Sequence, residues 1–245
     1  DARLLFETIR GYDQQDATSL PDTYFSKYKE PKRIGIPRDF LSEGVDEDVL
    51  ASFNNHLQKL EHIGYELVDI KLPHVQYALA SYYIVMPAEA STNLARYDGM
   101  RYGVHKDGED LLGDYMHTRG YGFGAEVKRR IITGTFVLSS GYADAYYRKA
   151  IAVREKIRAD FRDIFKDIDI IATPTSPTPA FKIGEKADDP LAMYAADIFT
   201  VPVNMAGVPA ISIPMGTVER DGSDLPIGMQ FIGSFGSDES LFTIG

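Results

Sequence analysis

The segment "MYAADIFTVPVNMAGVPAISIP", Met193 to Pro214, holds one carboxylate, that of Asp197, among apolar, small, Pro and Gly residues. A carboxylate in such surroundings is costly to bury unless a cation meets it. An internal salt bridge, a cap for the turn at Asn204 to Gly207, or a cationic ligand would each answer that cost. A second candidate lies in "EVKRRIITG", where Arg129 and Arg130 precede an apolar run. An exposed helix face is the usual fate of such arginines, yet a guanidinium on apolar ground also suits bidentate capture of a carboxylate. Consecutive helical side chains diverge by about 100°, so Arg129 and Arg130 should point to different places. An arginine and an aspartate closing on one small cavity would fit an amino acid, one wall taking its α-carboxylate and the other its α-ammonium. Tyr82 and Tyr83 sit on an apolar helix, where the default is packing with the hydroxyls at a rim.

Other chemistries find less support. Ser139 and Ser140 in "TGTFVLSSGY" read as a helix end, with Gly141 as a left-handed cap. No lysine or histidine base stands near them in a fixed pattern. His56, His62, His74, His105 and His117 show no H-E-x-x-H spacing and the chain has no cysteine, so no metal site is expected. No G-x-S-x-G elbow, G-x-G-x-x-G turn or phosphate-binding loop occurs. The formal net charge of −10, from 26 basic and 36 acidic residues, argues against a surface that itself grips phosphate backbones. No run reaches the roughly 18 apolar residues of a membrane span, and the first residues lack the basic head and apolar core of a signal peptide. Absence of cysteine fits a reducing cytosol, so a cytoplasmic protein is expected.

The elements that would position these residues follow from periodicity. "RIGIP", Arg33 to Pro37, reads as a strand, followed from Asp46 by a helix with Val49, Leu50, Phe53, Leu57 and Leu60 on one face and Gly64 at its end. "YELVDIKLP" is a second strand, so the three make a βαβ unit with parallel pairing. From Val75 to Tyr97 the pattern is helical, with Pro87 kinking or breaking it. Residues 99–124 read as a long loop with one helical turn at most. Glu126 to Leu138 and Asp144 to Lys166 are helical, the latter with a solvated basic face. "IDIIATP" is a strand buried on both sides, and a Pro-rich loop leads to a helix opening at Asp189–Pro190. Asp197 then lies near the end of a short helix stopped by Pro202. "PAISIPMG" and "PIGMQFIG" are strands around a polar hairpin, "TVERDGSDL". The expected architecture is α/β in one compact unit, a central mixed, twisted sheet covered by helices, with 168–174, 209–214 and 228–233 as interior strands.

Five segments then carry a resemblance: "GYDQQDATS", "SYYIVMPAEASTNLARYDGMRYG", "EVKRRIITGTFVLSSGYADAYYRKA", "DDPLAMYAADIFTVPVNMAGVPAISIP" and "PIGMQFIG". Together they resemble the C-terminal half of the amidase-signature family and, within it, the A subunits of aspartyl/glutamyl-tRNA amidotransferases. The likeness runs along essentially all 245 residues. It implies the amidase-signature fold, with residues 1–245 as the C-terminal part of a single domain whose N-terminal portion is missing; both ends read as cut. Those enzymes hydrolyse glutamine and pass ammonia to a partner that uses ATP to amidate misacylated Glu-tRNA(Gln) or Asp-tRNA(Asn). Their Ser–Ser–Lys machinery belongs to the absent half, so the resemblance implies no catalytic residue in this chain, and the chain alone should be inactive. What carries over is the glutamine wall: Arg130 for the α-carboxylate, Asp197 for the α-ammonium and Tyr82 lining the pocket. The implied partners are glutamine, the B and C subunits of the amidotransferase, and misacylated tRNA through the partner protein, with no membrane. No cofactor is implied here, ATP and magnesium belonging to the partner. A general amidase for another amide, or a non-catalytic interaction module on the same scaffold, are the alternatives.

Overall fold

The computed structural model describes residues 1–24, 29–42, 44–186 and 189–244. In chain order these form α1 (Ala2–Ile9), β1 (Arg33–Ile36), α2 (Glu47–His62), β2 (Glu66–Asp69), α3 (Ala78–Leu94), α4 (Leu111–Gly122), α5 (Ala125–Val137), α6 (Arg148–Ile164), β3 (Ile170–Pro174), α7 (Pro190–Ala195), α8 (Val201–Ala206), β4 (Ala210–Arg220), β5 (Ser223–Gly233) and α9 (Asp238–Ile244). The chain divides into two compact units, one of residues Asp1–Leu79 with Lys156–Gly245 and one of Ala80–Glu155.

The first unit is the α/β part. Asp46 caps α2 by accepting from the Asp48 amide, and Gly64, with φ +105°, turns the chain back into β2. β1 and β2 pair in parallel, Arg33 against Glu66, so the βαβ reading holds. β3 is buried along its whole length, parallel to β1 and antiparallel to β5, which gives a mixed sheet in the order β2-β1-β3-β5-β4. Val49, Phe53 and Leu57 of α2 enter the core beside Ile34, Phe199, Met229 and Phe231.

Two expectations about this sheet need correction. The segment 209–214 is not interior: β4 stands at an edge, with Ala210, Ser212 and Pro214 exposed and alternating with half-buried Ile211 and Ile213. That alternation marks a strand with one covered face. The polar residues expected to form a loop are mostly paired as well, Val218 with Leu225 and Arg220 with Ser223. The turn shrinks to Asp221 and Gly222, both at positive φ, a conformation that suits Asp-Gly between right-twisted strands.

The second unit is helical. α3 runs through Pro87 without breaking, and Pro87 is buried. α4 replaces much of the expected loop. Asp110 starts it by accepting from the Gly113 amide at 2.7 Å. Leu111, Leu112 and Met116 are exposed and only Thr118 is buried, so the helix has no apolar stripe for the sequence to display. Arg119 of α4 donates to the Leu94 and Tyr97 carbonyls, both at 3.0 Å, closing the C-terminal end of α3. α5 ends at Val137, and Gly141 at φ +82° carries the chain into a π-helical turn, Ala143–Tyr147, ahead of α6. Among the described residues no helix is long and apolar enough to cross a membrane.

Candidate functional site

The helical unit brings Tyr82 and Arg130 together, and a glycine makes that possible. Gly134 of α5 is buried where a Cβ would stand 1.9 Å from the Pro87 carbonyl oxygen and 2.8 Å from Ser91 Oγ. Only a residue without a side chain allows α5 to come this close to α3. Arg130 lies four residues before Gly134 and therefore on the same face of α5, while Tyr82 and Met86 share a face of α3 by the same spacing. The close approach places the Arg130 guanidinium against α3, with Nη1 donating to Met86 Sδ at 3.3 Å and the Tyr82 side chain near enough to help hold the guanidinium protonated. The Tyr82 ring packs edge-on to Tyr83 at 5.1 Å between centroids.

Glu126 completes the group. Its Oε1 accepts from Arg130 Nε at 2.8 Å and its Oε2 from Arg129 Nη1. The hydrogen bond from Arg130 and the positive charge of both arginines hold the Glu126 carboxyl below its usual range. The hydrogen bond to Glu126, opposed by partial burial, raises Arg130 above the ordinary arginine value. The two arginines do separate as helical geometry requires: the Arg130 side chain is 32 % exposed and leans on α3, while that of Arg129 is 58 % exposed. They nevertheless converge on one carboxylate, which sequence reasoning missed. The signal was present as a Glu three and four residues before the paired arginines, the spacing of helical ion pairs.

Asp197 belongs to the other unit, in the turn between α7 and α8. Asp189 opens α7 by accepting from the Ala192 amide, while residues 187 and 188 of the preceding loop lie outside the described residues. The Asp197 carbonyl receives the Val201 amide at 2.9 Å. Its side chain is exposed and makes no hydrogen bond or ion pair among the described residues. Pro202 does not stop a helix here. It lies in the first turn of α8, where its missing N–H costs nothing. α8 then ends on Gly207 at φ +74°. Five of its six residues are buried, so the turn carrying Asp197 is anchored on its C-terminal side.

One group of potential metal ligands occurs among the described residues: His105, Asp107 and Asp114, with ligand atoms within 4.8 Å of one another. Its members have other work. Asp114 accepts from the Gly108 amide at 2.6 Å, and His105 lies between Asp107 and the Gly99 carbonyl. These bonds fasten the loop to the start of α4.

Comparison with known proteins adds the following. The family model described as Amidase matches residues 1–242. The A subunit of the glutamyl-tRNA(Gln) amidotransferase of Thermodesulfovibrio yellowstonii is 53% identical over 239 residues, covering 95% of this chain and 49% of that protein. The A subunit from Thermoanaerobacter pseudethanolicus is 54% identical over 242 residues, with 95% and 48% covered. The crystal structure of the glutamyl-tRNA(Gln) amidotransferase A subunit from Thermotoga maritima superposes with a TM-score of 0.71 at 36% identity, over 98% of this chain and 48% of that one. The chain thus spans about half the length of the curated relatives it matches. With a mixed sheet flanked by helices and a family match along nearly its whole length, this chain belongs to the amidase family.

Proposed function

We propose that this chain forms the glutamine-binding part of the glutaminase subunit of a tRNA-dependent amidotransferase. One observation carries the reading: Arg130 is held by the tight α3–α5 packing beside Tyr82 and Met86, a cation with apolar and phenolic neighbours. A planar guanidinium in that setting suits an α-carboxylate. Similarity to A subunits of glutamyl-tRNA(Gln) amidotransferases supports the same substrate.

In this reading Arg130 takes the α-carboxylate of glutamine, Asp197 its α-ammonium, and Tyr82 lines the pocket. Asp197 suits the role because its carboxylate is exposed and free of an internal cation among the described residues. The chemistry falls to the Ser–Ser–Lys machinery, assigned to the half of the relatives' length outside this chain. One serine attacks the amide carbon while the second relays its proton to the neutral lysine; that proton passes to the amide nitrogen, the C–N bond breaks to release ammonia, and water then hydrolyses the acyl-serine to glutamate. The ammonia passes to a partner that amidates Glu-tRNA(Gln) or Asp-tRNA(Asn) with ATP and magnesium. The B and C subunits and the misacylated tRNA are then the macromolecular partners, the tRNA acting through the partner protein, and the cytoplasm is the place of action. This chain needs no cofactor or metal of its own.

The test is ammonia release from glutamine by this chain mixed with a polypeptide carrying the Ser–Ser–Lys half. Activity should appear only with both, and Arg130→Ala should lower kcat/KM by about 10²–10³, the loss of a bidentate charged pair. Unchanged glutamine turnover in Asp197→Ala would remove the zwitterion clamp from the proposal.

A further inference from the structure

We infer that Glu126 is the positioning residue of the substrate site, setting which edge of Arg130 is offered to a carboxylate. The inference rests on the reading of Arg130 as the group that binds the substrate carboxylate. A guanidinium can present two forks to a planar acid, one including Nε and one formed by its two Nη groups. Here the choice is already made. Glu126 Oε1 occupies Nε at 2.8 Å, so the side-on fork is closed. At the Nη edge Nη1 rests on Met86 Sδ at 3.3 Å, a weak thioether acceptor that a carboxylate can replace.

The carboxylate that makes this choice is itself held. Its second oxygen, Oε2, is taken by Arg129 Nη1, which fixes the rotation of the Glu126 group. Arg129 therefore orients Glu126, Glu126 orients Arg130, and only the last member leans on α3. The paired arginines of "EVKRRIITG" thereby have separate work. Arg129 is the more exposed and Arg130 the one among apolar neighbours. Charge supports the same order of roles. With Glu126 ionised next to it, Arg130 carries a partly neutralised charge and waits in one rotamer, so less side-chain freedom is lost when the ligand arrives.

A rival role for Glu126 would be that of an internal occupant, a carboxylate that the substrate must displace. The two roles predict opposite signs. If Glu126 positions Arg130, its removal weakens glutamine binding; if it competes, its removal strengthens binding.

The experiment measures kcat and KM of ammonia release by this chain joined to the Ser–Ser–Lys half, with glutamine and with 4-aminobutanamide, which lacks the α-carboxylate. Glu126→Ala should raise KM for glutamine about tenfold with kcat within about threefold, the signature of lost ground-state binding. Glu126→Gln, which keeps an acceptor for Nε, should recover part of that loss, and Arg129→Ala should cost about two- to threefold. With 4-aminobutanamide the Glu126→Ala penalty should vanish, whereas a variant damaged in folding would lose both substrates alike. A lower glutamine KM in Glu126→Ala, or an equal penalty on both amides, overturns the positioning role. Arg130→Ala, run in parallel, separates the failures. If it leaves glutamine KM unchanged, the reading of Arg130 itself is wrong; if it raises KM while Glu126→Ala does not, only the present inference falls.

Discussion

The two units of this chain are held together in different ways. In the sheet unit the interior is made of large apolar side chains: Phe53, Phe199, Phe231, Ile34, Ile170 and Met229 are all at 2 % exposure or less. In the helical unit, among the described residues, no Phe, Ile, Leu or Met is buried, and beside Val85, Pro87 and Val137 the buried positions are small or polar. Ser81, Ala88, Ser91, Thr118 and Ala150 are buried there, and Gly134 is pressed on a backbone carbonyl. Large apolar residues of the same unit, Leu111, Leu112, Met116, Ile132 and Phe136, are exposed. The sheet unit therefore depends on volume being present, and the α3–α5 contact on volume being absent at Gly134. The substrate-binding candidates Tyr82 and Arg130 stand in the second kind of packing, where the closeness of two helices does the positioning.

The contrast can be broken most directly by truncating the sheet core. Phe53, fully buried on α2, touches the central cluster, and Phe53→Ala should cost about 3–5 kcal/mol in denaturant unfolding. A loss under about 1 kcal/mol would mean that the sheet core collapses around the hole, and that large side chains are not what holds this unit.

Enlarging the helical contact is the converse probe, and here two effects oppose each other. Alanine is favoured over glycine inside a helix by about 1 kcal/mol, so propensity alone says that Gly134→Ala stabilises. The added Cβ, however, would stand 1.9 Å from the Pro87 carbonyl, a backbone atom that cannot swing aside. Overpacking costs about 1–3 kcal/mol and should win. Hydrogen exchange should quicken in α3 and α5, and the shift of α5 should raise the glutamine KM through Arg130. A neutral or stabilised Gly134→Ala variant would show that the helices are not in limiting contact.

The same contrast explains what could be read before any coordinates. In the sheet unit, periodicity and end signals act over short stretches. The face of Val49, Phe53 and Leu57, the helix start at Asp46 and the stop at Gly64 were all visible, and so was the parallel pairing they imply. The edge position of β4 was not, because an apolar strand reads alike at an edge and in the middle until its neighbours are known. In the helical unit the period itself is weak. α4 looked like a loop because its apolar residues are scattered around the helix and exposed. Pro87 looked like a kink or a break, and Gly134 gave no hint of what it touches, since the two meet only when α3 and α5 are packed. At the site, the divergence of Arg129 and Arg130 followed from helical geometry alone. Their common partner Glu126 obeys the same geometry one turn earlier, at the spacing of helical ion pairs.

The smallest expected effect concerns charge, and it sharpens the comparison through distance along the chain. In the sheet unit Arg220 donates from Nη2 to both oxygens of Asp46 at 2.8 Å and from Nη1 to Asp48, tying the β4–β5 hairpin to the start of α2 across more than 170 residues. In the helical unit Glu126 pairs, among the described residues, only with arginines three and four residues away. The Arg220 hydrogen bond holds Asp46 below its ordinary value of 3.8, as Arg130 does for Glu126 below 4.5. A depressed folded-state value gives stability that is present above the unfolded value and is lost as pH falls through the folded one. Only the Asp46 tie closes a long stretch of chain, so only it should register in global unfolding. Asp46→Asn keeps a good helix cap while removing the charge, and should cost about 0.5–1 kcal/mol at pH 7. That difference from the parent should shrink towards zero as the pH is taken below 3.8 through the folded value of Asp46. Glu126→Gln should stay within about 0.5 kcal/mol of the parent throughout, its pair being local and half-exposed. An Asp46→Asn cost that persists unchanged in acid would mean that packing of the hairpin, and not the ion pair with Arg220, fastens it to α2.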